Sequence, residues 1–131
     1  MYQPSLNDAF PGGKILLLSY IYDRINPLLP ADRRDKLLTI STIADLAKDV
    51  CAGPTVWAER WGSDQGAMKA LEDDRLLYCL DLTYQYTLLQ LGYEFGDDRK
   101  AKIGKQIGGT ELGWCLGATL AMINTDLTCR E

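Results

Sequence analysis

Histidine is absent from this sequence of 131 residues. This absence excludes the Ser-His and Cys-His nucleophile arrangements and most zinc sites, because each of them needs an imidazole. The sequence also lacks a glycine-rich phosphate loop after a strand, since the segment PGGK precedes an apolar run and does not have the P-loop spacing. Any chemistry of this chain must therefore use carboxylates, tyrosines, backbone amides, or bound metal or water.

Basic residues are outnumbered, with 14 Lys and Arg against 18 Asp and Glu, so the net charge is −4. A general nucleic-acid binder would need a basic face, and we therefore expect no nucleic-acid partner. A site for one phosphorylated small molecule is still allowed, because such a site needs local donors rather than net charge. The apolar share of 47% is ordinary for a globular protein.

Targeting signals are also missing from the sequence. The opening MYQPSLNDAF has neither a basic region nor an apolar one, as a signal peptide would. The longest apolar runs are too short to cross a bilayer, so we expect no membrane segment in this chain.

Cysteine occurs at four positions, Cys51, Cys79, Cys115 and Cys129. None of them forms a CxxC pair, which disfavours a zinc knuckle, and four cysteines allow three disulfide pairings. The residues alone are compatible with buried free thiols in a cytosolic protein and with two disulfides in an oxidising compartment.

Two segments in the first half of the chain have clear patterns. KILLLSYIYDR, after a Pro-Gly-Gly turn, is a continuous apolar and aromatic run typical of a strand buried on both faces of a sheet. STIADLAKDVCAGP has the apolar spacing of a helix at Ile43, Leu46, Ala47 and Val50. Ser41 or Thr42 is its expected N-cap, and Gly53 followed by Pro54 should end it.

The second half of the chain is predicted to be mainly helical. A short helix and a polar connector are predicted over TVWAERWGSDQGAMKALEDD. A further helix is predicted over RLLYCLDLTYQYTLLQLGY, which is apolar most of the way round and is therefore expected to be buried. KAKIGKQIGG is predicted to be a short strand. Thr110 is the expected cap of a final helix that ends near Asn124.

These segments predict a helix-rich α/β fold with four helices and only one or two strands. A strand buried on both faces needs parallel neighbours, and the mean sheet has roughly five strands. We therefore expect residues outside this chain to complete the sheet.

Small residues lie on one stripe of the final helix, at Gly113, Gly117 and Ala121. Each glycine costs about 1 kcal/mol of helix stability against alanine, so the stripe indicates a close approach by another backbone or a ligand. Tight packing of the helix on a sheet is one interpretation. Contact with a nucleotide cleft, with Trp114 at its edge, is the other.

Tyrosine outnumbers phenylalanine, seven to two. Tyrosine suits half-buried positions at the edge of a core, and its ring also stacks on nucleobases with roughly 1–3 kcal/mol per base. The candidate rings are Tyr20, Tyr22, Tyr78, Tyr84, Tyr86 and Tyr93. Asp23 and Arg24 are a further candidate at the end of the predicted buried strand, where ligand sites of α/β sheets gather, although an ion pair would also account for them.

Four segments together, YQPSL, SYIYDR, YCLDLTYQYTLLQLGY and ELGWCLGATL, resemble the apyrase family of nucleoside di- and triphosphate hydrolases. The closest resemblance is to its nucleoside-diphosphatase branch, such as fungal Golgi guanosine diphosphatases. The resemblance implies a two-lobed enzyme with an actin-like, ribonuclease-H-like fold. Residues 1–131 would be the C-terminal portion of its second lobe, with no separate domains.

In that family a Ca²⁺ or Mg²⁺ ion neutralises the phosphates and a glutamate activates the attacking water, as phosphoryl transfer requires. The resemblance implies hydrolysis of GDP or UDP to the monophosphate in the lumen of the Golgi or another secretory compartment. The family's phosphate-binding and glutamate segments do not occur here, so we expect the chain to be inactive without a missing N-terminal portion. The alternatives are a non-catalytic nucleotide-binding or interaction domain and a relic without a stable fold.

The resemblance also assigns roles to single residues. Tyr22 matches the position whose ring stacks on the nucleobase, and Tyr78 lies near a second stacking position. Gly113, Trp114 and Gly117 match the family's closing motif.

For the cysteines, the resemblance implies a disulfide between Cys51 and Cys79. Cys115 and Cys129 would form the remaining pair.

Overall fold

The computed structural model describes residues 12–34, 36–111 and 113–124. Its α-helices are α1 (Tyr20–Ile25), α2 (Ile40–Ala52), α3 (Pro54–Trp61), α4 (Gln65–Asp73), α5 (Tyr78–Thr87) and α6 (Trp114–Asn124). Its strands are β1 (Ile15–Leu17), β2 (Leu38–Thr39), β3 (Lys100–Ile103), β4 (Gln106–Ile107) and β5 (Thr110–Glu111). The helix-rich α/β class is confirmed, but the prediction of one or two strands is wrong, since these residues form five.

Three of the strands form one sheet in the order β1-β3-β2. β1 runs parallel to β3, with Ile15 opposite Ala101 and Leu17 opposite Ile103, and β2 is antiparallel to β3. Side chains along β3 alternate, so that Ala101 and Ile103 are buried and the two lysines of the strand are exposed. One face of the sheet therefore covers the core, as expected from the period of two along a strand.

The strand predicted over KILLLSYIYDR is much shorter than expected. β1 ends at Leu17, which pairs with the last residue of β3. Ser19 then has a positive φ of 50°, and the chain turns into α1, which buries Ile25 in the core. A continuous apolar run does not by itself distinguish a strand from a buried helix, and here the length of the partner strand decides where β1 stops.

The helix predicted from the spacing of apolar residues is confirmed as α2. All four residues of its predicted apolar face are buried: Ile43, Leu46, Ala47 and Val50. Its end at Gly53 is also confirmed, because this residue has a φ of 99° that favours glycine, and Pro54 begins the next helix.

The predicted cap of α2 is wrong. Ser41 and Thr42 lie inside the helix, and their hydroxyls are within hydrogen-bond distance of the Thr39 hydroxyl. The first backbone N–H groups of α2 donate instead to the carbonyls of Arg99 and Asp97, at 3.0 and 2.9 Å. The loop before β3 therefore satisfies the start of α2, which a search for a nearby capping side chain does not detect.

The polar connector predicted after α3 is a helix. Asp64 caps this helix, α4, since its carboxylate accepts from the N–H groups of Gly66 and Ala67, each at 3.0 Å. An N-terminal aspartate of this kind replaces the missing intrahelical partners of the first turn.

The apolar helix predicted near residue 80 is confirmed as α5, continued by a π-helical turn at Leu88–Gly92. It is buried on one face only, where Tyr78, Leu82 and Gln85 pack into the core. The opposite face exposes 62% of Leu80 and 58% of Tyr84, so the predicted burial of this helix holds for one face only.

Cys51 and Cys79 form a disulfide with a Cα–Cα distance of 4.8 Å. It joins the end of α2 to the start of α5, two helices that pack along each other. The disulfide closes a loop with a sequence separation of 28. A cross-link of this length restricts the unfolded chain, and the folded state is stabilised as a result.

Replacing both disulfide cysteines with alanine should therefore lower the free energy of unfolding by roughly 3 kcal/mol. Urea denaturation of wild type and of the double variant Cys51→Ala, Cys79→Ala measures the difference. The exposed Cys115 provides a control, because Cys115→Ala removes a thiol without opening this loop. Equal unfolding midpoints for wild type and the double variant would contradict the prediction.

Candidate functional site

A cavity of about 560 Å³ lies where the carboxyl ends of the parallel strands β1 and β3 meet. The two strands stay joined beyond their last pair, because the Gly104 N–H donates to the Leu17 carbonyl at 3.0 Å. The lining residues come from α1, the following loop and the end of β3: Tyr22, Asn26, Arg34, Lys102, Ile103, Gly104, Lys105 and Gln106. Ligand sites of α/β sheets favour this edge, and the volume is in the range of small-molecule pockets.

Tyr22 gives this cavity its aromatic side chain. The turn at Ser19 directs α1 back over the strand ends, and Tyr22 packs half-buried against the core. Asn26 follows one helical turn later and donates its backbone N–H to the Tyr22 carbonyl. Tyr22 thus contacts the core and is also a lining residue of the cavity.

Every ionisable group that lines the cavity, apart from the Tyr22 phenol, is a cation: Arg34, Lys102 and Lys105. Arg34 is held by the Leu29 carbonyl at 3.2 Å and by Asp64 at 3.8 Å. This concentration of positive charge is opposite in sign to the net charge of the chain, which is −4. Local positive charge in a concave surface attracts anionic ligands.

Sequence reasoning did not single out these three cations. The lysines lie at the end of KAKIGKQ, which was predicted only as a short strand. Pairing that strand parallel to KILLL would have brought Lys102 and Lys105 to the edge where β1 ends. The signal is non-local, because it depends on the partner of β3 rather than on a motif.

Tyr78, the second predicted base-binding residue, does not line this cavity. Its ring is 1% exposed, and its hydroxyl donates to the Arg24 carbonyl at 2.8 Å. Burial raises the pKa of the Tyr78 phenol to about 12; the nearby Arg24 guanidinium acts in the opposite direction. Tyr78 thus lies in the core, and its predicted role in base binding stays a prediction.

Asp23 and Arg24 were predicted at the end of a strand. They lie within α1 instead. Arg24 is paired with Asp74 and Asp81, and its guanidinium lies 4.8 Å from the centre of the Tyr78 ring. The ion-pair interpretation is therefore confirmed for Arg24. This cluster connects α1 to α5 and so holds the helix that carries Tyr22.

The closing motif lies away from the cavity. Trp114 is 84% exposed, and a Cβ added at Gly113 or Gly117 would meet no atom within 4 Å among the described residues. The predicted cap at Thr110 is wrong, since this residue pairs with Ile107 in the β4–β5 hairpin. Gly113 and Gly117 therefore do not make the predicted close contact with the described residues.

Of the predicted pair Cys115–Cys129, only Cys115 is among the described residues, and its thiol is exposed. Cys129 lies outside them, so this disulfide stays a prediction.

Divalent ions need several oxygen ligands that converge on one point. Across residues 12–34, 36–111 and 113–124, no three Asp, Glu, Cys or His side chains form such a group. The described part of the chain therefore does not fit a Ca²⁺ or Mg²⁺ ion, and we derive no step through a metal. Nor does any helix in these ranges have the length and apolar character needed to cross a membrane.

An aromatic ring and three cations around one cavity suit a small molecule that combines a planar group with negative charge. Comparison with known proteins identifies the family of the chain. The model of the GDA1/CD39 (nucleoside phosphatase) family matches residues 1–130. The chain therefore belongs to this family.

Several relatives are similar over nearly the whole chain. The guanosine-diphosphatase of Schizosaccharomyces pombe is 39% identical over 95% of this chain and 21% of its own length. A probable guanosine-diphosphatase of Aspergillus fumigatus is 39% identical over 99% of this chain and 25% of its own. The nucleoside-diphosphatase uda-1 of Caenorhabditis elegans is 30% identical over 86% of this chain and 22% of its own length. The chain thus spans a fifth to a quarter of these relatives.

The raised pKa of Tyr78 predicts a pH-dependent stability. The folded state keeps the phenol proton up to about pH 12, whereas the unfolded state loses it near pH 10. The contribution of the protonated phenol to the free energy of unfolding is therefore complete below pH 10. It is lost between about pH 10 and pH 12, by up to about 1.4 kcal/mol per pH unit. Urea denaturation across this range should show a steeper loss for wild type than for Tyr78→Phe.

The exposed Tyr84 provides the matched control, and Tyr84→Phe should follow wild type. At neutral pH, Tyr78→Phe should cost about 1–2 kcal/mol, since the Arg24 carbonyl loses its donor. If the free energies of unfolding of wild type and Tyr78→Phe fall in parallel above pH 10, the raised pKa of Tyr78 is contradicted.

Proposed function

We propose that this chain forms the nucleobase-binding part of a nucleoside diphosphatase that hydrolyses GDP or UDP to the monophosphate and phosphate. The observation that carries the proposal is the position of Tyr22, whose ring lines a cavity together with three cations. Family membership and the diphosphatase names of the relatives support it.

In this proposal the Tyr22 ring stacks on the base. Stacking of a base on an aromatic ring contributes roughly 1–3 kcal/mol and needs an open ring face backed by a rigid wall. Tyr22 is a candidate for this role, because it is partly buried against the core and is also a lining residue of the cavity. The cations that line the same cavity then offer donors to the acceptor atoms of the nucleotide.

Hydrolysis itself is proposed for the complete protein only. It needs an activated water and stabilisation of charge on the phosphates, which in this family a divalent ion supplies. The described residues bring together neither a metal site nor a carboxylate facing the cavity. We therefore expect this chain to bind nucleotide without turnover, as the C-terminal portion of the second, actin-like lobe of a larger enzyme. The Cys51–Cys79 disulfide supports a secretory compartment such as the Golgi lumen.

A non-catalytic nucleotide-binding domain is the second candidate. One observation favours it: an aromatic ring and three cations line the cavity, whereas no carboxylate is among its lining residues. Mixing the chain with the upstream portion of the Schizosaccharomyces pombe guanosine-diphosphatase distinguishes the two. Phosphate release from GDP would support the enzyme, whereas GDP binding without phosphate release in the mixture would favour the second candidate.

The stacking role of Tyr22 predicts the effect of two substitutions. Tyr22→Ala should weaken GDP binding about tenfold to a hundredfold, whereas Tyr22→Phe should keep most of the affinity, because a phenyl ring still stacks. Isothermal titration calorimetry of the 131-residue chain with GDP measures both. Tyr84→Ala is the control, since this exposed ring lies on α5 and not in the cavity. Equal losses for Tyr22→Ala and Tyr84→Ala would rule out the proposed stacking.

A further inference from the structure

We infer that the outer face of the β1-β3-β2 sheet is a docking surface for an acidic amphipathic helix, supplied by the part of the longer polypeptide that lies outside this chain. The inference rests on the proposal that the chain is one portion of a larger enzyme. It goes beyond the nucleotide cavity, because it concerns a different surface and a protein partner.

Two cavities, of about 450 and 250 Å³, form this surface, and Leu37 lines both of them. The larger cavity lies on the face of the sheet that is turned away from the core, where Leu16 of β1 is opposite Lys102 of β3. The smaller cavity is lined by buried leucines that include Leu28 and Leu46. We call the lining of these two cavities the Leu37 surface.

The floor of the Leu37 surface is apolar. Leu37 directly precedes β2, and 62% of it is exposed. A single exposed leucine is common in soluble proteins. Leu37, however, connects the apolar lining of one cavity with that of the other, and contiguous exposed apolar surface is typical of contact with another protein.

The charges of the Leu37 surface all have the same sign. Every ionisable side chain that lines the two cavities is a cation: Lys14, Lys100, Lys102, Arg33 and Arg60. Arg60 is paired with Asp49, whereas the other four make no ion pair or side-chain hydrogen bond within the described ranges. Unpaired positive charge around an apolar floor is complementary to carboxylates that lie beside apolar side chains.

The geometry of the sheet favours a helix as the partner. β1 runs parallel to β3, and parallel strands are generally covered by helices on both faces of their sheet. The core occupies one face, where Ala101 and Ile103 are buried, whereas Lys100 and Lys102 on the other face are exposed. A helix with apolar side chains at i, i+4 and i+7 and carboxylates beside them matches both the floor and the charges.

The remaining length of the polypeptide is the source of this helix. The chain spans 21% of the Schizosaccharomyces pombe relative and 25% of the Aspergillus fumigatus relative, so most of such an enzyme lies outside the matched part. Other partners fit the surface less well. A bilayer is flat at this scale and does not fill two concave cavities, and a nucleic acid has no aliphatic side chains for the leucines.

The probe is a synthetic peptide of about 18 residues, roughly five helical turns, with leucines on one stripe and glutamates on both sides of it. A second peptide carries lysines in place of the glutamates. Fluorescence anisotropy measures the dissociation constants of both peptides for the 131-residue chain. Wild type should bind the glutamate peptide at least about tenfold more tightly, because like charges repel across an interface.

Substitutions on the Leu37 surface test its role. The double variant Lys14→Glu, Lys100→Glu should reverse the preference between the two peptides. Leu37→Asp should weaken binding of the glutamate peptide about tenfold or more, because a carboxylate then lies between the two cavities. The matched control is Lys48→Glu, Lys69→Glu, which changes the net charge equally at exposed lysines of α2 and α4 that line neither cavity.

Overlapping synthetic peptides that cover the unmatched part of the Schizosaccharomyces pombe guanosine-diphosphatase test the source. At least one acidic amphipathic peptide among them should bind wild type and displace the glutamate peptide. If none of them displaces it, the proposed source is wrong and the inference is overturned.

Other results would also contradict the inference. These are equal affinities of wild type for the glutamate and lysine peptides, and equal effects of the surface and control double variants. Binding to phosphatidylserine vesicles without binding of either peptide would assign the surface to a membrane. A dimer in sedimentation experiments that Leu37→Asp separates would assign it to a second copy of the chain.

The test is independent of nucleotide binding. Tyr22 does not line the Leu37 surface, so Tyr22→Ala should bind the glutamate peptide as wild type does and still lose affinity for GDP. Titration of the same samples with GDP therefore distinguishes a failure of the proposed function from a failure of the docking surface.

Discussion

Three residue pairs join β1 to β3 in parallel, from Ile15 and Ala101 to Leu17 and Ile103. This pairing brings together two segments that lie far apart in the sequence, and the candidate site depends on it. Because the strands are parallel, both carboxyl ends reach one edge of the sheet. Tyr22 lies at this edge because the chain turns from β1 into α1 there. Lys102 and Lys105 lie there because β3 ends beside β1. An antiparallel pairing would have placed these groups at opposite edges.

The rest of the core keeps this edge in place. The loop before β3 satisfies the first N–H groups of α2, so the central strand β3 and the helix α2 are positioned together. α2 in turn packs on α5, and the Cys51–Cys79 disulfide joins them. Arg24, paired with Asp74 and Asp81, ties α1 to the same helix. The helix that carries Tyr22 is therefore connected through α5 and α2 to the loop before β3.

Some of this architecture could be predicted from local patterns, and some could not. The apolar face and the end of α2 were predictable because both signals are local in the sequence: the helical spacing of apolar residues and the glycine that follows them. The end of β1 at Leu17 was not, since it is set by the length of a partner strand far along the chain. The same holds for the start of α2, whose caps are backbone carbonyls of Arg99 and Asp97.

The residues of the candidate site likewise fall into those that the sequence could predict and those that it could not. Tyr22 was indicated by resemblance to a family, whereas Lys102 and Lys105 become functional candidates only when β3 is placed beside β1. The apolar surfaces of α6 and of the outer face of α5 remain exposed among the described residues. Large exposed apolar surface is typical of an interface, which agrees with a chain that spans only part of its relatives' length.

The most direct test of the account is to locate a bound base relative to the two strand ends. Nuclear Overhauser effects between GDP and the isotopically labelled chain measure this. The account predicts contacts from guanine H8 to the ring protons of Tyr22 and to the α protons of Gly104, since both residues line the cavity. Contacts confined to other parts of the chain, such as α5 or α6, would contradict a nucleotide site built by the parallel pairing of β1 and β3.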